Sequence, residues 1–233
     1  MNPIYRFSLA ALQRLLLPYW IPQVEGLEHL PREGPILLVS NHPTVLDGLV
    51  LGSILPRQVR FMVSREPLKI PLVGHWLKAL GFIAVGGKSG SLQRVAHHLS
   101  QGACVGIYLE GNPTHSYQLQ EFHPGVAILA EQCGVPLIPV STYGSEALCP
   151  ENARYVRGGP VWIHFGAPLL WQPGHTRESF LQELRERIQA PLRLPPQLVA
   201  RRGWGFYACA ALWVPLSFAL LQLADWIRPG GKR

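Results

Sequence analysis

The stretch Ile36-Leu37-Leu38-Val39-Ser40-Asn41-His42-Pro43-Thr44-Val45-Leu46-Asp47 decides how this chain is read. Its first four residues form an apolar run of the length of a short buried strand. An imidazole and a carboxylate follow, five residues apart. On a continuous helix five steps turn the chain by roughly 500° and leave the two side chains about 140° apart. Pro43 argues for a different geometry, because it biases His42 toward extended backbone and suits the first helical position. The expectation is a strand-to-helix corner with His42 on it and Asp47 in the opening turns, where the carboxylate reaches back to the ring. With nine histidines and only Asp47 and Asp225 as aspartates in the chain, this spacing has a chance expectation of about 0.08. The competing use of such a pair is helix capping, common for Asp near a helix start.

Working outward, apolar runs of strand length recur at Ile36 to Ser40, Val59 to Val63, Phe82 to Val85, Cys104 to Leu109, Leu137 to Val140 and Val161 to Phe165. Between them, helices are expected near Asp47 to Leu55, Pro71 to Leu80, Leu92 to Leu99 and Gly125 to Gln132. This alternation predicts a single α/β domain with a largely parallel or mixed sheet flanked by helices. Thr176 caps a further helix carrying Phe180, Leu184 and Ile188 on one face, which Pro191, Pro195 and Pro196 are expected to stop. The organisation predicted is an N-terminal amphipathic membrane-surface helix over 1–24, the main domain over 25–190, a Pro-rich linker over 191–203 and an apolar membrane segment over 204–227.

The 233 residues and 48% hydrophobic composition supply ample material for a core and argue against disorder. Cys104, Cys133, Cys149 and Cys209 are scattered without a CxxC pair, so neither a zinc knuckle nor a disulfide framework is suggested, and a reducing, cytoplasmic setting fits. The net charge of +7 is unevenly placed. From Arg57 to Arg94 there are seven Lys or Arg against Glu66 alone, whereas Val95 to Ala153 holds five glutamates and no Lys or Arg. No basic helix, RNA-binding aromatic motif or zinc-finger spacing accompanies the charge, so nucleic acid is not expected as a partner. A membrane surface or an acidic small molecule fits better. Trp204 to Ala224 runs 21 residues without a charge, with Trp204, Tyr207 and Trp226 near its ends. That is long enough to cross or lie deep in a bilayer, although Pro215, Ser217 and Gln222 weaken it. Ile4 to Trp20 carries Arg6, Arg14 and Pro18 and reads as a surface helix rather than a signal peptide.

Other motifs fail on inspection. Gly87-Lys88-Ser89 ends like a phosphate-binding loop but has Phe82 where a glycine is required, and no Gly-x-Ser-x-Gly elbow occurs. His97 and His98 are adjacent with no further ligand at metal spacing, so no metal site is expected. The stretch Tyr108-Leu109-Glu110-Gly111-Asn112-Pro113-Thr114-His115 is more informative, because a strand ends there in Glu-Gly followed by turn formers, at the kind of place where α/β sheets hold ligands. Gly111 lets the backbone approach a ligand closely, and Glu110 is suited to orienting donors or accepting a proton.

Taken together, these stretches resemble the glycerolipid acyltransferase family, which includes glycerol-3-phosphate and lysophosphatidic acid acyltransferases. Four blocks stand in the family's order over roughly residues 25 to 190. Asn41-His42-Pro43-Thr44-Val45-Leu46-Asp47 resembles NHxxxxD, and Gly81-Phe82-Ile83-Ala84-Val85 resembles the second block. Tyr108-Leu109-Glu110-Gly111 resembles the third, and Val135-Pro136-Leu137-Ile138-Pro139-Val140 the fourth. The resemblance implies transfer of a fatty acyl chain from an acyl thioester, acyl-CoA or acyl carrier protein, to the hydroxyl of a lysolipid-like acceptor without any further cofactor. It implies that His42 is the general base and Asp47 its orienting carboxylate. Glu110, Gly111, Asn112, Gly81, Lys88 and Pro139 are implied for substrate binding, and the active site is expected on the cytoplasmic side of a membrane. The family's arginines in the second and third blocks, associated with an acceptor phosphate, are replaced here by Gly87 and Pro113. A lysolipid with a different head group is therefore a serious candidate. The alternative from another class is a non-catalytic lipid-binding or membrane-tethering protein on the same fold; a thioesterase is a further possibility.

Overall fold

The computed structural model describes residues 3–86, 90–116, 118–198 and 203–227, with side chains left undescribed at 4, 218 and 220–227. Among these residues a seven-stranded sheet is ordered β1-β7-β6-β2-β5-β3-β4. The strands are β1 (Pro22–Glu25), β2 (Ile36–Ser40), β3 (Val59–Val63), β4 (Ile83–Ala84), β5 (Cys104–Tyr108), β6 (Leu137–Tyr143) and β7 (Val161–Phe165). From β6 through β4 the neighbours are parallel, while β7 runs antiparallel to β6 and carries β1 parallel beside it. The sheet is thus mixed.

All five residues of β2 are buried, as an apolar run without alternation requires when both faces are covered. Ile36 and Leu38 face one layer, built from α1 (Pro3–Leu15), α2 (Leu17–Trp20), α3 (Asp47–Ile54) and the first half of α9 (Trp204–Ile227), with Trp20, Val50, Leu51 and Phe206 in its core. Leu37 and Val39 face the other, where α6 (Ser91–Ser100), α7 (Gly125–Cys133) and α8 (Arg177–Arg193) bring Val95, Leu129, Phe180 and Leu184. The short helices α4 (Arg65–Lys69) and α5 (Val73–Ala79) link β3 to β4.

Two expectations are corrected at the ends of the chain, and a third segment is seen packed on the domain. The N-terminal segment is not one surface helix over 1–24: the helix breaks after Leu15, and Pro22 to Glu25 join the sheet opposite Val161 to His164. The β-edge propensity of a proline-led segment explains the change of structure at Pro22, which starts an edge strand and needs no ladder N–H. Pro191 does not stop α8, which runs to Arg193; the proline lies in the last turn, where one lost N–H is offset by burial of Leu192. The apolar C-terminal segment docks on the domain. Phe206 packs on Tyr19 with ring centroids 5.3 Å apart, Trp213 meets Trp20 edge-on at 6.3 Å, and Ser217 Oγ accepts the Val156 N–H at 3.0 Å. Among the described residues no helix is long and apolar enough to cross a membrane.

At the start of α8, the Thr176 hydroxyl accepts the Ser179 N–H and the Ser179 hydroxyl accepts the Thr176 N–H, a reciprocal cap. Phe180, one residue on, is wholly buried. Urea unfolding is expected to show Thr176→Ala costing about 1 kcal/mol and Phe180→Ala roughly 3–5 kcal/mol, the apolar contact outweighing the cap.

Candidate active site

The strands β2 and β5 lie side by side, with Ser40 opposite Tyr108 at their carboxyl ends. The chain leaves β2 into α3 on one face of the sheet and leaves β5 through a loop into α7 on the other. Adjacent strands whose connections depart to opposite faces leave a crevice outside their carboxyl ends. His42 follows β2 and Glu110 follows β5, so both stand at that crevice.

Asn41 anchors the corner. Its side-chain Nδ2 donates to the Thr142 carbonyl at 2.8 Å while its Oδ1 accepts the Thr142 N–H at 2.8 Å, extending the pairing of β2 with β6 by one side chain. Asn41 is 1% exposed, so this pair of bonds, with a longer one from Ser40 Oγ to its Oδ1 at 3.5 Å, compensates its burial. The next residue leaves the sheet with both backbone groups held: the His42 N–H donates to Glu110 Oε2 at 2.9 Å, and its carbonyl accepts the Thr114 N–H at 2.9 Å.

The His42 and Asp47 side chains meet, Nδ1 to Oδ2, at 3.0 Å. Helix α3 starts at Asp47, not at Pro43, so four residues form a turn between imidazole and carboxylate. The same Oδ2 accepts the Thr44 N–H at 2.9 Å, and the Asp47 N–H returns to the Thr44 carbonyl at 3.2 Å. This is one half of a capping box. Capping and pairing are therefore not competing uses of Asp47, because one oxygen does both. An ionised carboxylate only accepts, so the shared hydrogen sits on Nδ1 and the neutral ring keeps its lone pair on Nε2. Asp47 is wholly buried and the His42 side chain 12% exposed, which leaves the ring as the reachable member of the pair.

Tyr108 stacks on the His42 ring at 4.0 Å between centroids and 13° between planes, and Phe61 stacks behind Tyr108 at 5.8 Å. Burial, with the Asp47 charge adding to it, holds the Tyr108 phenol well above its ordinary range, so the ring packs as a neutral plate. Gly106 makes room for this stack, since a Cβ there would clash with the Phe61 ring.

Glu110 is a clamp. Its second oxygen, Oε1, accepts the Gln120 N–H at 3.0 Å, so one carboxylate ties the corner after β2 to the loop after β5. Burial raises its pKa and the two N–H bonds oppose that rise. Gly111 turns the chain at φ 72°, where a Cβ would come within 3.1 Å of His123 Nε2, and Asn112 is exposed beside it. Gly81 takes φ 86° in the turn before β4, with Gln58 and Arg60 about its Cα. Pro139 is buried in β6, opposite Val39, with its ring against Gly166 and its carbonyl accepting the Gly166 N–H at 2.8 Å. Its described contacts are those of strand pairing. Lys88, with Gly87, lies outside the described residues.

Within the basic segment, Arg57 donates to the carbonyls of Pro31 at 3.0 Å and Gly34 at 2.7 Å, at the opposite end of the strands from His42, and so holds loops there. Sequence reasoning missed Asn41, Thr114 and Tyr108 as parts of the site; a buried-strand run ending in Ser-Asn was the available signal for the first. It also missed Glu146, in the turn after β6, whose Oε2 is buried without a hydrogen-bond partner, as are Asp47 Oδ1 and Thr44 Oγ1. Among the described residues no group of three or more His, Cys, Asp or Glu side chains gathers in a way that could hold a metal ion.

Residues 21–143 match the protein family described as Acyltransferase. The chain is 25% identical to a chloroplastic 1-acyl-sn-glycerol-3-phosphate acyltransferase of Brassica napus, over 77% of this chain and 53% of that protein. It is 27% identical to a lyso-ornithine lipid O-acyltransferase of Pseudomonas aeruginosa, over 66% of this chain and 60% of that one. The chain thus spans about half the length of the first of these relatives and 60% of the second. Among solved structures, the 1-acyl-sn-glycerophosphate acyltransferase PlsC of Thermotoga maritima superposes with a TM-score of 0.73 over 84% of this chain and 83% of that one, at 19% identity, which establishes the shared fold.

Burial, with the Asp47 charge adding to it, pushes the Glu146 carboxyl above the usual carboxylate range. A carboxyl raised by folding contributes least above its folded pKa, so wild-type stability falls as pH rises through that value. Glutamine does not titrate. Glu146→Gln is therefore expected to gain stability relative to wild type between about pH 4 and about pH 8, read by urea unfolding at both; a difference that does not change with pH would remove the burial argument.

Proposed function

The chain belongs to the acyltransferase family, and from that premise we propose that it moves a fatty acyl group from an acyl thioester to the hydroxyl of a lysolipid. One observation carries the chemistry: the buried Asp47 carboxylate holds Nδ1–H of His42, which fixes the base on Nε2. In this reading Nε2 takes the acceptor's O–H proton as its oxygen bonds to the thioester carbonyl carbon. The tetrahedral intermediate collapses by breaking the C–S bond, and the imidazolium returns the proton to the departing thiolate. Thiol and acylated lipid leave, and atoms and charge balance. A thiol has a pKa near ~8.5, so its thiolate leaves readily and no covalent enzyme nucleophile is required. Asp47 stabilises the imidazolium while the proton is held.

The lipid chains have an adjoining place. A groove of about 510 Å³ opens between α1, α3, α5 and α9, lined almost wholly by apolar side chains including Phe7, Leu15, Trp76 and Leu212. Leu46 and Leu49, on either side of Asp47, form part of its wall. Exposed Phe7, Leu15, Leu212 and Leu216 stand on its rim. They support a membrane-associated enzyme whose site faces the lipid. The free cysteines support the cytoplasmic side.

The relatives' names offer two kinds of acceptor, a glycerol phosphate lysolipid and a lyso-ornithine lipid. The loop beyond Glu110 has no Lys or Arg of its own. That favours a head group other than a phosphate monoester, which is commonly met by guanidinium forks.

With labelled acyl-CoA and a lipid extract, acceptor-dependent thiol release and a product of raised mass are expected. His42→Ala is expected to lose roughly 10²–10⁴-fold in turnover while remaining folded, its unfolding midpoint lowered because buried Asp47 loses one of its two donors. Turnover retained by that variant would refute the base assignment; release without any acceptor would make the protein a thioesterase, and no release with any donor would favour a non-catalytic lipid binder.

A further inference from the structure

We propose that Arg185, on α8, is a positioning residue for the His42–Asp47 pair, acting through the backbone of Leu119 and Gln120 and the carboxylate of Glu110. The inference rests on the reading of His42 as the base.

Arg185 donates through Nη1 to the Gln120 carbonyl at 2.9 Å and through Nη2 to the Leu119 carbonyl at 3.2 Å. Its guanidinium also lies over the Phe122 ring, 5.2 Å from the centroid. Three contacts from one side chain thus fasten the loop between β5 and α7. Gln120, fastened by its carbonyl, donates its N–H to Glu110 Oε1 at 3.0 Å, and the other oxygen of that carboxylate receives the His42 N–H at 2.9 Å. The path from α8 to the imidazole backbone therefore runs through two peptide groups and one carboxylate, every link a hydrogen bond.

The residue type follows from the geometry. From Val95 to Ala153 the chain has no Lys or Arg, so this loop cannot supply a cation to its own carbonyls. A planar fork spans two consecutive carbonyls, which a single ammonium does not. Both terminal nitrogens are engaged by protein, which separates this arginine from one kept free for an anionic substrate. Glu110 in turn needs both N–H donors, because a half-buried carboxylate that loses one is left under-compensated and shifts toward whatever donor remains. The donor that remains is the His42 N–H, so slack in the loop becomes displacement of the catalytic corner.

Arg187 provides the comparison. It lies on the same helix with the same charge, but donates through Nε and Nη2 to Glu183, at 3.0 and 2.7 Å, and makes no described bond to the loop.

The test uses the full chain with variants Arg185→Ala, Arg185→Lys, Arg187→Ala, Glu110→Gln and the double variant Arg185→Ala with Glu110→Gln. Arg185→Ala is expected to lower kcat by about 10- to 100-fold with KM for the acceptor unchanged, Arg185→Lys to recover part of it, and Arg187→Ala to stay at the wild-type value. In the Glu110→Gln background, loss of Arg185 is expected to cost nothing further, because the two act in series. Equal losses in both backgrounds, a loss matched by Arg187→Ala, or a loss confined to KM would overturn the proposal, the last making Arg185 a substrate-binding residue. Amide hydrogen exchange gives a readout free of turnover: His42 and Gln120 should exchange faster in Arg185→Ala than in Arg187→Ala, and unchanged exchange would also overturn it. If His42→Ala retains activity, the proposed function falls while the exchange result still decides whether Arg185 holds the loop.

Discussion

The arrangement depends on a single buried oxygen. Asp47 Oδ2 accepts from the Thr44 N–H and from His42 Nδ1, so the bond that shapes the turn and the bond that fixes the ring share one acceptor. A wholly buried carboxylate without partners would be costly by several kcal/mol, and these two donors are what make its burial tolerable. The consequence is rigidity in the right place. The turn cannot relax without releasing the imidazole, and the imidazole cannot rotate without exposing the charge. The Tyr108 ring on one side and backbone bonds at both His42 peptide groups then leave the ring little freedom except at its outer nitrogen.

The sheet explains why such a corner can exist. Strand β2 sits between β5 and β6 and is covered on both faces, so its register is fixed by two ladders rather than one. Asn41 carries that order one residue past the strand by copying a strand's donor and acceptor with its side chain against Thr142. Order is thus handed from the ladder to a side-chain amide, then to the Glu110 carboxylate, then to the ring. The first of these handovers occurs among buried groups and the next at the half-buried Glu110, where a hydrogen bond left unmade costs more than one made would contribute.

The sequence was most legible where one physical term dominates. Apolar runs located β2, β3, β5, β6 and β7, and the helix carrying Phe180, Leu184 and Ile188 was placed by its spacing together with its Thr176 cap. Strand β1 was missed because Pro-Gln-Val-Glu shows no apolar run; it exists by pairing with β7, a tertiary effect that local pattern does not record. The helix expected from Asp47 is found there, although Pro43 does not take the first helical position it suits. The Thr44–Asp47 exchange of hydrogen bonds sets that boundary, four residues past the proline. The carboxylate of Glu110 was visible as a group at a strand end, yet its two backbone donors come from residues 42 and 120, and only the fold brings those together. Pro139, prominent in the sequence, takes part in strand pairing at the end of the β6–β7 ladder, where a missing N–H is harmless.

The two ends of the chain meet this corner from the apolar side. Helices α1 and α9 are far apart in sequence, but both wall the groove that reaches Leu46 and Leu49. Against the domain they bury Tyr5, Phe206 and Cys209, while Phe7, Leu15, Leu212 and Leu216, which line the groove, remain in contact with solvent. An apolar surface of this kind is unfavourable in water and becomes favourable against hydrocarbon. On the proposed reading, that single preference does two things at once. It holds the open side of the groove against the lipid phase, and it lets an aliphatic chain pass from bilayer to groove without crossing water. The polar crevice at the ends of β2 and β5 adjoins the same turn, so hydroxyl and thioester would be drawn to His42 while their chains stay in apolar surroundings. A chain end that only anchored the protein could be replaced by any apolar helix. One that also walls the groove, as Leu212, Trp213 and Leu216 do, is constrained residue by residue on its inner face and free on its outer one.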